Sequence, residues 1–263
     1  MKNIFLILFG TLINFTAFSQ HSESQSTFKF VGHRGASYLA PENTKASIEL
    51  AWEVGADAAE CDVMLTSDHK VVLCHDKNTK NLTGENFNVS ETSWARLSKL
   101  TIKLKESNLP EYENQPIPLL EEVLTTIPED RMLVIEIKTG PEILPYLHKT
   151  IDVHWTSGKI SFIAFDFETI AAAKALYPEV PCYYLSSSEK DFNKHLEGVV
   201  DHELDGMDLW HAIITPSLIK KCKSAGLDVW CWTVNDPQVA REMKKMGVTA
   251  VTTDRPAWLK ENL

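Results

Sequence analysis

His33, Arg34 and Gly35 stand together where an apolar run stops, in the stretch VGHRGASYLAPENT at 31–44. A ring that titrates near neutrality, a permanent cationic fork and a residue free of side-chain constraint are the parts of an anion-binding turn. Glu60 and Asp62, in AECDVML, are two apart and share one side of a strand, with Cys61 on the other. Glu136 and Lys138 repeat that spacing in VIEIK, and His75 follows the run VVLC. Carboxylates gathered from neighbouring strands are costly to desolvate without a countercharge. Glu60, Asp62 and Glu136 therefore predict a site for one divalent cation, and their oxygen atoms select a hard ion, Ca²⁺ or Mg²⁺, over zinc. Beside such a cation Arg34 can grip a phosphate with two parallel hydrogen bonds, and Lys138 adds a point charge. His33 and His75 then make the candidate acid–base pair that phosphodiester cleavage requires. The other histidines lack such company, and His211, close to a strand end after DGMDLW, is the one kept in view.

These side chains converge only if strands deliver them to one place. Short apolar runs at 28–33, 58–65, 132–138, 160–165, 182–186, 205–209, 228–234 and 250–254 read as strands buried in a parallel sheet. Helix signals lie between them. Asn43 or Thr44 can cap KASIELAWEV, and Gly55 stops it. Thr215-Pro216 opens one later helix and Asp236-Pro237 another, with Gly226 and Gly247 at their ends. Strand then helix, eight times over, predicts an α/β fold of the (β/α)8 TIM-barrel type, with its working face at the strand C-termini. An open doubly wound sheet is the alternative, and it leaves the strand count unexplained. VVLCHD at 71–76 reads as an extra short strand, followed by about forty residues up to 116 that break the rhythm. A connection of that length at the functional face is expected to be a cap or small insertion.

The chain of 263 residues carries a formal net charge of −10, which argues against nucleic acid or an anionic membrane surface as a partner. Lys2, the apolar run IFLILFGTLINFTAF and the small residues Ala17 and Ser19 read as a signal peptide over 1–19. A membrane anchor is the alternative, but the run is short and has no cationic stop. A polar leader at 20–27 and a catalytic domain at 28–263 follow, so export to a periplasm or the medium is expected, with no stable membrane anchoring after cleavage. Cys61, Cys74, Cys182, Cys222 and Cys231 are odd in number and scattered, which suits buried free thiols better than a disulfide framework.

GHRGASYLAPENT, AECDVMLTSDHKVVLCHD, IPLLEEVL, VIEIK, VWCWTVND and VTAVTTDRP occur in this order, and together they resemble the glycerophosphodiester phosphodiesterase family over about 30–256. The resemblance implies a (β/α)8 barrel that hydrolyses glycerophosphodiesters to sn-glycerol 3-phosphate and an alcohol. It implies His33 and His75 as the catalytic pair, Glu60, Asp62 and Glu136 as metal ligands, and Arg34 and Lys138 on the phosphate. Glu42 falls beside the site, and Trp232 and Phe165 become walls of the substrate pocket. Two departures bear on the leaving alcohol: Asn81-Leu82-Thr83 replaces a usual Arg-Thr-Thr run, and Ala164 stands where serine is common.

The expected reaction is metal-assisted hydrolysis with His33 as base and His75 as acid. The nucleophile is either water or the glycerol 2-hydroxyl acting through a cyclic phosphate. A phospholipase on the same barrel, of the sphingomyelinase-D or phosphatidylinositol-specific phospholipase C kind, is the rival enzyme. The polar insertion KESNLPEYENQP speaks for a soluble substrate instead. A barrel that binds glycerophosphodiesters without cleaving them is the third reading, and the completeness of the polar set argues against it.

Overall fold

The structure, a computed structural model, describes residues 28–263. The signal peptide and leader expected over 1–27, with His21, lie outside these residues. Nine strands are present among them: β1 (Lys29–Gly32), β2 (Ala58–Leu65), β3 (Val71–Leu73), β4 (Met132–Ile137) and β5 (Lys159–Ala164), then β6 (Cys182–Ser186), β7 (Gly206–Trp210), β8 (Asp228–Trp232) and β9 (Ala250–Thr253). Eight of them pair in parallel around a ring, and β1 closes it by bonding to β2 on one side and β9 on the other. Closure excludes the open-sheet alternative. β3 is the exception, lying antiparallel on the outer part of β2.

Strand alternation divides the apolar residues between two layers. Val31, Ala58, Val134, Ile163, Tyr183, Leu185, Trp230 and Ala250 fill the barrel interior. The Tyr183 and Trp230 rings stack there with centroids 3.9 Å apart. The opposite faces pack outward against helices at 45–53, 144–154, 167–176, 189–201, 216–224 and 237–246. The starts of these helices follow local chemistry: Thr44 accepts from Ser47 N, Thr215 from Leu218 N and Asp236 from Gln238 N. Thr44, not Asn43, is thus the first cap. All five cysteines are buried and free. Among the described residues no helix is long and apolar enough to cross a membrane.

The segment after β3 builds a core of its own. Met64, Val72, Cys74, Val89, Leu97, Leu100, Ile102 and Ile117 form a separate buried cluster flanked by Phe87 and Trp94. Its helices are single turns at 80–83 and 94–97, shorter than the amphipathic stretch around SETSWARLSKL suggests. Its far end touches the first loop of the barrel, where Leu109 N donates to Leu39 O at 2.7 Å and Asn108 Nδ2 to Ser37 O at 3.1 Å.

Candidate functional site

Register places the carboxylates. In the β2–β4 pairing Asp62 lies directly beside Glu136, and Glu60 sits two residues earlier on the same inward face. One oxygen from each of Glu60, Asp62 and Glu136 falls within 4.8 Å of the others. Glu60 and Asp62 are buried at 2% and 1% exposure, so water cannot screen the cluster.

Cations reach these acids from two sides. Lys138 donates to Glu136 Oε1 at 2.7 Å and its Nζ lies 3.6 Å from Asp62 Oδ1. Arg34 Nε lies 3.3 Å from Asp62 Oδ2 without a hydrogen bond, while Arg34 Nη1 donates to Glu42 Oε1 at 2.7 Å. The cations that the sequence does not set beside Glu60 and Asp62 in the chain, Arg34 and Lys138, thus reach them through the fold. Lys105, from the segment after β3, pairs with the other Glu42 oxygen.

The charges do not balance, and the ionisation shows it. Burial, then the fields of Asp62 and Glu136, drive Glu60 well above the usual carboxylate range. Burial and Asp62 push Glu136 up to about 7 against the pull of Lys138. Burial also works to raise Asp62, but Arg34 and Lys138 hold it below its ordinary value. Glu60 Oε1 is buried with no hydrogen-bond partner. An unpartnered buried oxygen on one of two carboxylates that resist ionisation is the donor chemistry a hard divalent cation satisfies, so these residues fit such an ion.

The turn after β1 is built for close approach. Arg34 and Gly35 have φ of 53° and 85°, and Gly35 lies so tightly on Ser47 that a Cβ there would overlap its backbone. This conformation aims Arg34 N at Glu60 Oε2, 2.8 Å away. Asn43, fully buried with φ of 56°, exchanges two hydrogen bonds with Asp62: its Nδ2 donates to Oδ2 at 2.7 Å and its Oδ1 accepts from Asp62 N at 2.9 Å.

One cleft at the C-terminal end of the barrel strands is lined by His33, Arg34, Glu60, His75, Glu136, Lys138, Phe165 and Trp232, with Asp208 also on its wall. The Phe165 and Trp232 rings meet edge to face at 5.5 Å, and the Lys138 ammonium lies 5.8 Å from the Phe165 centroid. His33 Nδ1 lies 2.7 Å from Asp254 Oδ1, and His75 Nδ1 lies 2.8 Å from Asp76 Oδ1. Burial lowers the pKa of His75, and Arg34 and Lys138 add to this against the field of Asp62.

Every residue singled out from the sequence as a candidate thus lies in or against this cleft, except His211. That ring sits on the turn after β7, edge-on to Trp210 and off the cleft lining. Ala164 faces the outer layer, not the cleft, so a serine difference there has no direct route to substrate. Asn81 does lie nearby, with Nδ2 3.3 Å from Asp76 Oδ2. Asn43, Asp208 and Asp254 were not identified from the sequence. Asp254 directly follows β9, and its position just beyond a strand C-terminus is the one signal available for it.

The family model described as glycerophosphoryl diester phosphodiesterase family matches residues 33–258. A glycerophosphodiester phosphodiesterase of Caldanaerobacter subterraneus subsp. tengcongensis is 31% identical over 235 residues, covering 87% of this chain and 95% of that protein. A lysophospholipase D of Homo sapiens is 23% identical over 297 residues, covering 100% of this chain and 93% of its own length. The solved structure of an Oleispira antarctica phosphodiesterase in complex with the product sn-glycerol-3-phosphate has a TM-score of 0.82 and 27% identity, covering 89% of this chain and 96% of that one.

Proposed function

Because the chain belongs to the glycerophosphoryl diester phosphodiesterase family, we propose that it hydrolyses soluble glycerophosphodiesters to sn-glycerol 3-phosphate and an alcohol. The observation that carries this reading is the meeting of two carboxylate-tethered imidazoles with Arg34, Lys138 and three buried carboxylates in one cleft. Glu60, Asp62 and Glu136 would hold a divalent cation, Ca²⁺ or Mg²⁺, which supplies positive charge for the phosphate oxygens when bound. Arg34 and Lys138 bind the same phosphate from the protein side and stabilise charge as it gathers in the transition state. Phe165 and Trp232 give the carbon skeleton of the substrate a wall and keep water from that side of the cleft.

His33 acts as the base. The Asp254 carboxylate at Nδ1 favours a proton reaching the opposite nitrogen, Nε2. His75 acts as the acid toward the departing alcohol, and the burial that lowers its pKa makes its protonated form a readier donor. The segment at 77–116 caps the cleft through Lys105 and Asn108, and residues 1–19 direct export.

The test is one assay on purified protein. Glycerophosphocholine and related diesters are offered after EDTA treatment, with Ca²⁺ or Mg²⁺ restored, alongside His33→Ala and His75→Ala. Turnover should vanish in EDTA, return with one of the ions, and fall by roughly 10²–10⁴-fold in either variant. Activity that survives EDTA or the loss of His33 ends the reading. Faster cleavage of lysophosphatidylcholine than of glycerophosphocholine would instead support the lysophospholipase activity named for the human relative.

A further inference from the structure

Asp254 lies behind His33, outside the catalytic cleft, and nothing in the reaction above uses it except through that ring. Its carboxylate is held by three side chains from two separate segments. Oδ1 accepts from His33 Nδ1 at 2.7 Å and from Ser37 Oγ at 3.1 Å, and Oδ2 accepts from Asn235 Nδ2 at 2.6 Å. Asn235 is itself fixed, because its Oδ1 accepts from Asp254 N and from Thr253 Oγ1, both at 2.9 Å. The backbone makes the same junction, with His33 N donating to Thr253 O at 2.8 Å. Burial works to raise the Asp254 pKa, but the hydrogen bonds from His33, Asn235 and Ser37 hold it far below the usual carboxylate range.

We propose that Asp254, braced by Asn235 and Ser37, is a positioning residue that fixes His33 in the Nδ1–H tautomer and turns Nε2 toward the substrate. An ionised carboxylate only accepts hydrogen bonds, so the His33 nitrogen facing it must be the one that carries the proton. The lone pair of the neutral ring is then on Nε2, where a base needs it. Asp76 makes one comparable contact to His75, but its other oxygen is held only by Asn81 at 3.3 Å. The two imidazoles therefore differ in how firmly they are aimed, His33 being the fixed one. The proposal rests on His33 as the proton acceptor of the proposed reaction.

Asp254→Asn places an amide of the same shape against the ring, and its NH₂ can donate to Nδ1 and favour the wrong tautomer. With saturating cation and glycerophosphocholine, kcat should fall by about 10²–10⁴-fold, as when an orienting aspartate is amidated in another His–Asp pair, with KM nearly unchanged. Nitrogen NMR of histidine-labelled protein should show the His33 resonances move from the Nδ1–H to the Nε2–H pattern. Asn235→Ala, which leaves Asp254 in place but unbraced, should cost about 10-fold in kcat. It serves as the second variant if Asp254→Asn does not fold. A normal kcat or an unmoved tautomer pattern in Asp254→Asn overturns the proposal, as does a normal kcat in Asn235→Ala when only that variant folds. His33→Ala separates the two levels: if it is inactive while Asp254→Asn is active, positioning fails and the reaction stands. If His33→Ala is active, the base assignment fails and the positioning role with it.

Discussion

Glu136→Gln should make the protein more stable in EDTA, and more so as pH rises. Glu136 ionises at about 7 in the folded chain, against an ordinary value of 4.5, because it is buried beside Asp62. A folded-state pKa above the unfolded one means that the native state binds the extra proton. The contribution of Glu136 to native stability is therefore greatest below about pH 4.5 and declines as pH rises toward 7, where the carboxylate must ionise in its buried site. At roughly 1.4 kcal/mol per pH unit the decline amounts to about 3 kcal/mol. Glutamine keeps the oxygen that accepts from Lys138 but cannot ionise, so it removes this slope. Urea unfolding of both proteins in EDTA at pH 4.5 and pH 8 measures the effect. The variant's advantage should widen by about 3 kcal/mol between the two. Adding Ca²⁺ or Mg²⁺ should reverse the order, since a cation at about 1,000 times its dissociation constant stabilises the native chain by about 4.1 kcal/mol, more than the variant gains, and the variant has lost one of its ligands. An advantage that does not change with pH would refute the argument that the three acids crowd one another.

Three further outcomes follow from the geometry. Gly35→Ala combines a positive φ with overlap on Ser47 and should destabilise by more than about 1 kcal/mol, read as a lower urea midpoint with an unchanged slope. Arg34→Lys keeps the charge but loses the fork that spans Glu42 and the phosphate position, so kcat/KM should fall at least about 10-fold and not return at lower salt. Asp254→Asn should melt below the wild type at neutral pH and approach it in acid. The Asp254 pKa is depressed on folding, so its stabilising effect is complete above about pH 4 and fades as pH falls below that. Thermal melts at pH 7 and pH 3 decide it: the gap should be narrower at pH 3, and a gap as wide there as at pH 7 contradicts the assignment.

The barrel and the meeting of its polar residues were readable because both depend on short-range periodicity. An alternation of two puts Glu60 and Asp62, or Glu136 and Lys138, on one face, and parallel strands bring such faces to a common end. The turn after β1 was readable through its glycine. What the sequence withheld is long-range pairing. Asp254 is 221 residues from His33, and nothing local says that β9 closes against β1 in the register that joins them. Asn43 was read as a candidate cap, whereas its left-handed backbone frees its amide to clamp Asp62 across 19 residues. The independent core after β3 escaped notice because its apolar residues are spread over irregular chain without a steady period.

The seam where β1 meets β9 has a consequence for biosynthesis. His33, Arg34, Glu60, Asp62, His75, Glu136 and Lys138 have all been made by residue 138, little more than half of the chain. Yet β1 has only one neighbour until β9 arrives, and the carboxylate behind His33 is residue 254. An emerging or C-terminally clipped polypeptide therefore carries the chemical groups without the enclosure or the aimed ring. The site is structurally complete only when the last strand docks.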